Sequence, residues 1–156
     1  MILVLLILIG LGGLIVVQNV WLTPKLTGNS ITKTFTPQLL SELFIDGVFT
    51  INLLQDNTNE IKITTDEALF DCLTIKEHLH QFSLMHKSNC TSFGRNTPQI
   101  TVDITFQQLK KLDFGGVSDV YSLNHAILEE SLLLKVSGVS KANLHLTAPE
   151  IKADIS

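Results

Sequence analysis

No run of basic side chains appears anywhere in the 156 residues, and acidic residues outnumber basic ones by 15 to 11. A nucleic-acid binder needs a concentrated basic footprint to displace counterions, so that class of partner is excluded. Catalytic signatures are equally scarce. There is no G-x-S-x-G, no H-E-x-x-H and no phosphate-cradling glycine loop. Cysteine is limited to Cys72 and Cys90, which make no C-x-x-C motif. Two independent free thiols are the default expectation, with a disulfide in an oxidising compartment as the alternative. Asn89-Cys90-Thr91 fits a glycosylation sequon, which matters only in a eukaryotic secretory pathway.

Charge itself is missing from the opening "MILVLLILIGLGGLIVVQNVWL"; the first charged side chain is Lys25. At helical rise these residues reach roughly 33 Å, about the hydrocarbon thickness of a bilayer. Gln18 and Asn19 are the strongly polar exceptions, and Trp21 sits where interfacial aromatics lie. Residues 1–22 are therefore expected to form one N-terminal transmembrane helix in contact with the lipid bilayer. A cleaved signal peptide competes with that reading. It is disfavoured because no Lys or Arg precedes the apolar run and no A-x-A-like site follows it. Lys25 and Lys33 come after the span, and the positive-inside rule taken literally would leave the remainder in the cytoplasm. Topology stays open at this point.

Residues 23–41 are rich in Thr, Ser and Pro and poor in hydrophobic periodicity, which predicts a linker or stalk. From there the period becomes two. "GVFTINLLQ" and "EIKIT" read as strands, and the polar "QDNTN" between them predicts a hairpin. "TDEALFDCL" predicts a helical turn or two capped by Thr65 or Asp66. "LTIKEHLHQFSLMH" alternates again, and "ITVDITF" places Ile100, Val102, Ile104 and Phe106 on one face. Helix signals are few, so the domain is mainly β.

Towards the end a short phrase repeats. "LDFGGVSDV", "LKVSGVSKA" and the closing "ADIS" superimpose when Gly115, Ser137 and Ser156 are aligned. A period near 20 in β-rich sequence predicts a solenoid whose coils turn at the same place each time. The corner motif is Gly115, Gly116, Val117 and Ser118, then Ser137, Gly138, Val139 and Ser140. The glycines supply positive φ or close approach, the valines are expected to stack inward, and the serines can satisfy backbone groups at the bend. "ADIS" stops where a further turn would continue and no cap is visible, which suggests a fragment of a longer solenoid or an end covered by a partner.

Taken in order, "DGVFTINLLQDNTNEIKITTDEAL", "ITVDITFQQLKKLDFGGVSDV" and "LLLKVSGVSKANLHLTAPEIKADIS" resemble the head GIN domain, a family described as putative autotransporter adhesins. The resemblance covers about Glu42 to Ser156. Gly115 stands where the family's first corner usually has Ser, and fewer "SGxS" coils are present than is usual. The resemblance implies a right-handed β-solenoid, an extracytoplasmic location and no assigned catalytic residue.

The remaining candidates for chemistry are weak. His78 and His80 have H-x-H spacing, which on a strand would put two imidazoles on one face as metal ligands, with Glu77 or His86 near in sequence. The plainer reading is two solvent-facing histidines flanking a hairpin turn. His125 and His145, one coil apart, suggest a surface ladder. Asp113, Asp119 and Asp154 fall near the corners, as a glycan-cleaving enzyme would need. Alignment sets Lys135 against Asp113 and Lys141 against Asp119, which reads as charge pairing between coils.

The sequence thus predicts a right-handed single-stranded β-solenoid (β-helix) over 42–156, preceded by one transmembrane helix. It predicts a membrane-anchored, extracytoplasmic, adhesin-like module that is not an enzyme and needs no cofactor. An envelope glycan or protein would be the ligand, and oligomers are allowed. A structural or regulatory envelope protein docking through its solenoid end is the first alternative, and a glycan-active β-helix enzyme is the second.

Overall fold

A computed structural model of the protein describes residues 24–90 and 98–156. Within them the chain is built almost wholly of strands. The first four are β1 (Ser30–Phe35), β2 (Glu42–Gly47), β3 (Thr50–Gln55) and β4 (Glu60–Asp66). A short 3-10 helix, Glu67–Cys72, follows, and Asp66 caps it by accepting from the Ala68 N–H. Next come β5 (Leu73–His78), β6 (Gln81–His86), β7 (Thr101–Phe106), β8 (Lys111–Gly116) and β9 (Asp119–Ser122). The last are β10 (Ala126–Ile127), β11 (Leu132–Val136), β12 (Lys141–Asn143), β13 (Leu146–Thr147) and β14 (Ile151–Ile155).

These strands make two six-stranded sheets and one small pair. The first sheet has the order β1-β4-β7-β3-β9-β12, the second β14-β11-β8-β2-β6-β5, and β10 pairs with β13. Alternation in the sequence explains the core between them. Ile51 and Leu53 of β3, Ile61 and Ile63 of β4, and Val102 and Ile104 of β7 face Leu43, Ile45, Phe82, Leu84, Leu112 and Phe114 from the second sheet. All of these are buried, and each contributes about 1.5–3 kcal/mol by leaving water.

The expected single-stranded solenoid is corrected by this topology. Such a winding needs every strand parallel to its neighbour, yet β1 and β4, β4 and β7, and β5 and β6 all pair antiparallel. Both sheets are mixed, and no closed solenoid is present among the described residues. The parallel portions β2-β8-β11-β14 and β3-β9-β12 carry the periodicity that suggested one. The predicted transmembrane segment, 1–22, lies outside the described residues; among those described, no helix is long and apolar enough to cross a membrane.

Three further expectations change. The β3–β4 hairpin does not form, because β7 inserts between the two strands and pairs with both. The polar loop that should have closed it instead straddles the end of β7: Asp56 N–H donates to the Phe106 carbonyl, and Gln107 donates from its backbone N–H to Asn59 Oδ1. The linker predicted over 23–41 contains β1, whose Phe35 ring meets Phe82 edge-on at 5.6 Å between centroids. Threonine-rich composition suggested a stalk, but threonine is also a strand former when alternate positions are apolar. Finally, Cys72 and Cys90 are not free thiols but a disulfide.

Candidate functional site

Residues that alternate with the core positions of the first sheet all project to its outer side, and strand register brings them into lines. One line runs Thr32, Thr64, Thr101, Thr50, Asp119, Lys141 across all six strands. Beside it runs Thr34, Lys62, Asp103, Asn52, Tyr121, Asn143. Adjacent strands lie about 4.8 Å apart, so each line extends about 24 Å. Thr32 and Thr64 hydroxyls are bonded at 2.8 Å, and Asn52 Nδ2 donates to Asp103 Oδ1 at 2.7 Å. These bonds, with one donated by the Gln99 amide to the Thr50 hydroxyl, hold side chains in place on the outer face. Tyr121 is 41% exposed and is the aromatic surface of the two lines. Two lysines balance two aspartates, so the face combines many donors and acceptors with little net charge.

The corner residues sit at one end of the sandwich. Gly116 and Gly138 have φ of 79° and 76°, and each stacks so closely on the preceding turn that a Cβ would strike backbone: Gly47 for the first, Gly116 for the second. Gly47, paired with Gly116, is thus a third member of the stack. Its signal, "DGV" in "IDGVFT", was readable but lies far from the other two copies. Ser118 is buried and its hydroxyl donates to the Gly47 carbonyl at 3.2 Å, while Ser140 donates to the Gly116 carbonyl at 3.4 Å. Ser137 likewise donates to the Phe114 carbonyl, and Gly115 lies in register with Asp46. Val117 and Val139 do not stack inward as expected. They are 52% and 75% exposed, because the positive φ of the preceding glycine turns them outward.

At the opposite end a cleft of about 390 Å³ is lined by Leu39, Leu40, Glu42, Asn59, His80 and Lys110, among others. Glu42 Oε1 and His80 Nε2 are 3.0 Å apart there. Its lining offers one carboxylate, whereas glycoside cleavage in its usual form needs a facing pair. His78 and His80 are separated by the turn residue Leu79, with φ 52°. His78 lies across the hairpin from Gln81, whereas His80 turns to Glu42. No cluster of three or more metal-binding side chains occurs among the described residues. His125 bonds Thr147 Oγ1, and the His145 carbonyl accepts from Ala126 N–H. Asp113 and Asp154 flank Lys135 in register, as Asp119 does Lys141.

Two titrating groups are shifted for structural reasons. Burial pushes the Asp66 carboxyl up, but bonds from the N–H groups of Ala68, Thr27 and Gly28 and from the Thr27 hydroxyl outweigh it and hold the pKa below its ordinary value. Burial lowers His86 to about 4. Its ring lies against Phe49 at 4.6 Å between centroids.

Comparison with known proteins agrees with this architecture. Residues 40–156 match the family described as "Putative auto-transporter adhesin, head GIN domain". None of the curated proteins matches the chain. Among solved structures, a putative adhesin from Parabacteroides distasonis superimposes with a TM-score of 0.68 at 18% identity, over 83% of this chain and 54% of its own. A putative adhesin from Bacteroides fragilis gives 0.66 at 18% identity, over 86% and 61%. A putative lipid binding protein from Parabacteroides distasonis gives 0.57 at 18% identity, over 83% and 61%. The chain thus spans little more than half the length of these structures, and the likeness concerns the fold.

Proposed function

The chain belongs to the head GIN domain family, and from that membership we propose that it is a non-catalytic binding module that works outside the cytoplasm and holds a neutral, hydroxyl-rich polymer. The observation that carries this reading is the pair of polar lines crossing all six strands of the first sheet. A sugar chain presents hydroxyls that both donate and accept, and threonine hydroxyls, asparagine amides and aspartate carboxylates answer both roles. Tyr121 adds an apolar ring face against which a sugar's C–H groups can pack. Balanced charge disfavours a strongly anionic polymer.

Location is supported separately. A disulfide such as Cys72–Cys90 persists in oxidising compartments. The charge-free segment 1–22 would address the chain to the envelope as a signal or an anchor.

Retention of the full chain, kept in mild detergent, on immobilised neutral polysaccharides tests the reading. Tyr121→Ala and Asn143→Ala each remove one exposed partner and should weaken retention several-fold to about tenfold, with the melting temperature unchanged. Equal retention of both variants would remove this face as the site, and shortening of the polymer would replace the binding reading with an enzymatic one.

A further inference from the structure

Each wall of the cleft at the end opposite the glycine corners is an interior turn of the chain: 38–42 leading into β2, 56–59 before β4, 79–80 between β5 and β6, and 107–110 before β8. These turns are tied to one another. Ser41 and Glu42 N–H groups donate to the His80 carbonyl, and Lys110 N–H donates to the Ser41 carbonyl at 2.8 Å. Asn59 Nδ2 donates to the Gln38 carbonyl at 3.4 Å, and its Oδ1 accepts from the Gln107 N–H at 3.1 Å. The Gln107 amide donates to the Asn57 carbonyl at 2.6 Å, while Gln108 Oε1 accepts from the Glu129 N–H at 2.9 Å. The cleft therefore has its shape before a ligand arrives, which lowers the ordering cost of binding. Its volume, about 390 Å³, falls within the roughly 300–1,000 Å³ of small-ligand sites.

With the amides committed to the walls, three side chains still have bonding or contact to offer. Leu39 is 68% exposed beside the cleft although Leu40 next to it is buried, so an apolar surface is available. Glu42 Oε1 meets His80 Nε2 at 3.0 Å, but a carboxylate has about four acceptor positions. Lys110 Nζ lies 2.9 Å from Glu130 Oε1, and an ammonium carries further donors. The complement of this set is a ligand with a small apolar group, an N–H for the carboxylate and a carbonyl for the ammonium. An acetylated amine has all of them within a few bonds. A plain sugar hydroxyl donates and accepts but has nothing for Leu39. A free amino acid would compete with His80 and Glu130 for the same two charges, whereas a neutral amide leaves both pairs in place.

We propose that the cleft holds the acetamido group of an N-acetylated amino sugar, with its methyl on Leu39, its N–H on Glu42 and its carbonyl on Lys110. The cleft alone argues for the acetamido group; that a sugar bears it rests on the polymer-binding reading. The two sites ask different things of a ligand, hydroxyls on the face and an acylated nitrogen in the cleft.

Titration calorimetry of the full chain, in a detergent without sugar headgroups, tests it. The probes are the trimer of N-acetylglucosamine, the glucose trimer of the same linkage, and free alanine. The N-acetylated trimer should bind about tenfold or more tightly than the glucose trimer, and alanine should not bind. Leu39→Ser and Lys110→Met change exposed side chains and should leave the melting temperature unchanged, and each should cut the preference to about threefold or less. Tyr121→Ala should keep the preference. Equal retention of Tyr121→Ala and Asn143→Ala on polysaccharide would remove the face and leave the preference standing, so the two readings fail separately. Equal affinity for the two trimers, no binding of either, a preference that survives both cleft substitutions or is lost in Tyr121→Ala, or tighter binding of alanine would each overturn the proposal.

Discussion

At the scale of single residues, glycine at the corner is demanded twice over, by a positive φ and by contact with the preceding turn. Gly116→Ala should therefore cost about 1–3 kcal/mol or more, measured by urea denaturation, whereas Val117→Ala beside it should be nearly neutral because its side chain faces water. The repeated "GVS" made two of the three stacked glycines legible. Gly47 escaped because β4 to β7 intervene before its partner returns, and periodicity is invisible when one interval is several times the others. The outward turn of the valines was also hidden, since alternation rules assume β geometry and fail immediately after a left-handed residue. His86 carries a pH prediction. The unfolded chain protonates this imidazole near 6.5 and the folded one only near 4, so its contribution to stability is complete above 6.5 and is lost as pH falls towards 4. Melting temperatures across pH 4–7 should fall less steeply on the acid side in His86→Gln than in the wild type.

At the scale of elements, strands with strict alternation were readable, and β7 with its three inward positions, Val102, Ile104 and Phe106, most plainly. Pairing was not. Sequence proximity argued that β3 and β4 form a hairpin, but the intervening loop is committed to Gln107 at the end of β7 through the Asn59 side-chain oxygen and the Asn57 carbonyl, and only the three-dimensional position of Gln107 reveals that. β1 was missed for a related reason: its inward residues, Ile31 and Phe35, are too few to stand out in threonine-rich surroundings, yet they pack against a finished core. The disulfide secures this half of the molecule. It ties the 3-10 helix to the segment after β6 across a separation of 18 residues, and reduction should cost about 3 kcal/mol, read as a shift in the denaturation midpoint with and without reductant. An unchanged midpoint would mean that neighbouring packing alone holds the two segments together.

At the scale of the whole molecule, the polar face was foreshadowed only by residue types. Its two lines join strands distant in sequence, so no linear pattern could show that Thr32 and Lys141 belong to one surface. The segment between β3 and β8 also governs the order of assembly. Gln55 meets Asn124, 69 residues later, and the pairings of β2 with β8 and β3 with β9 require closure of comparably long loops. Non-local contacts of this kind are slow to form. The β5–β6 hairpin and the disulfide beside it close short loops and can form early, so β2 and β3 would wait with half their edges open until β8 and β9 arrive. Newly made chains would spend that interval exposing the very strand edges most prone to pair with the wrong molecule, and a chaperone would act then.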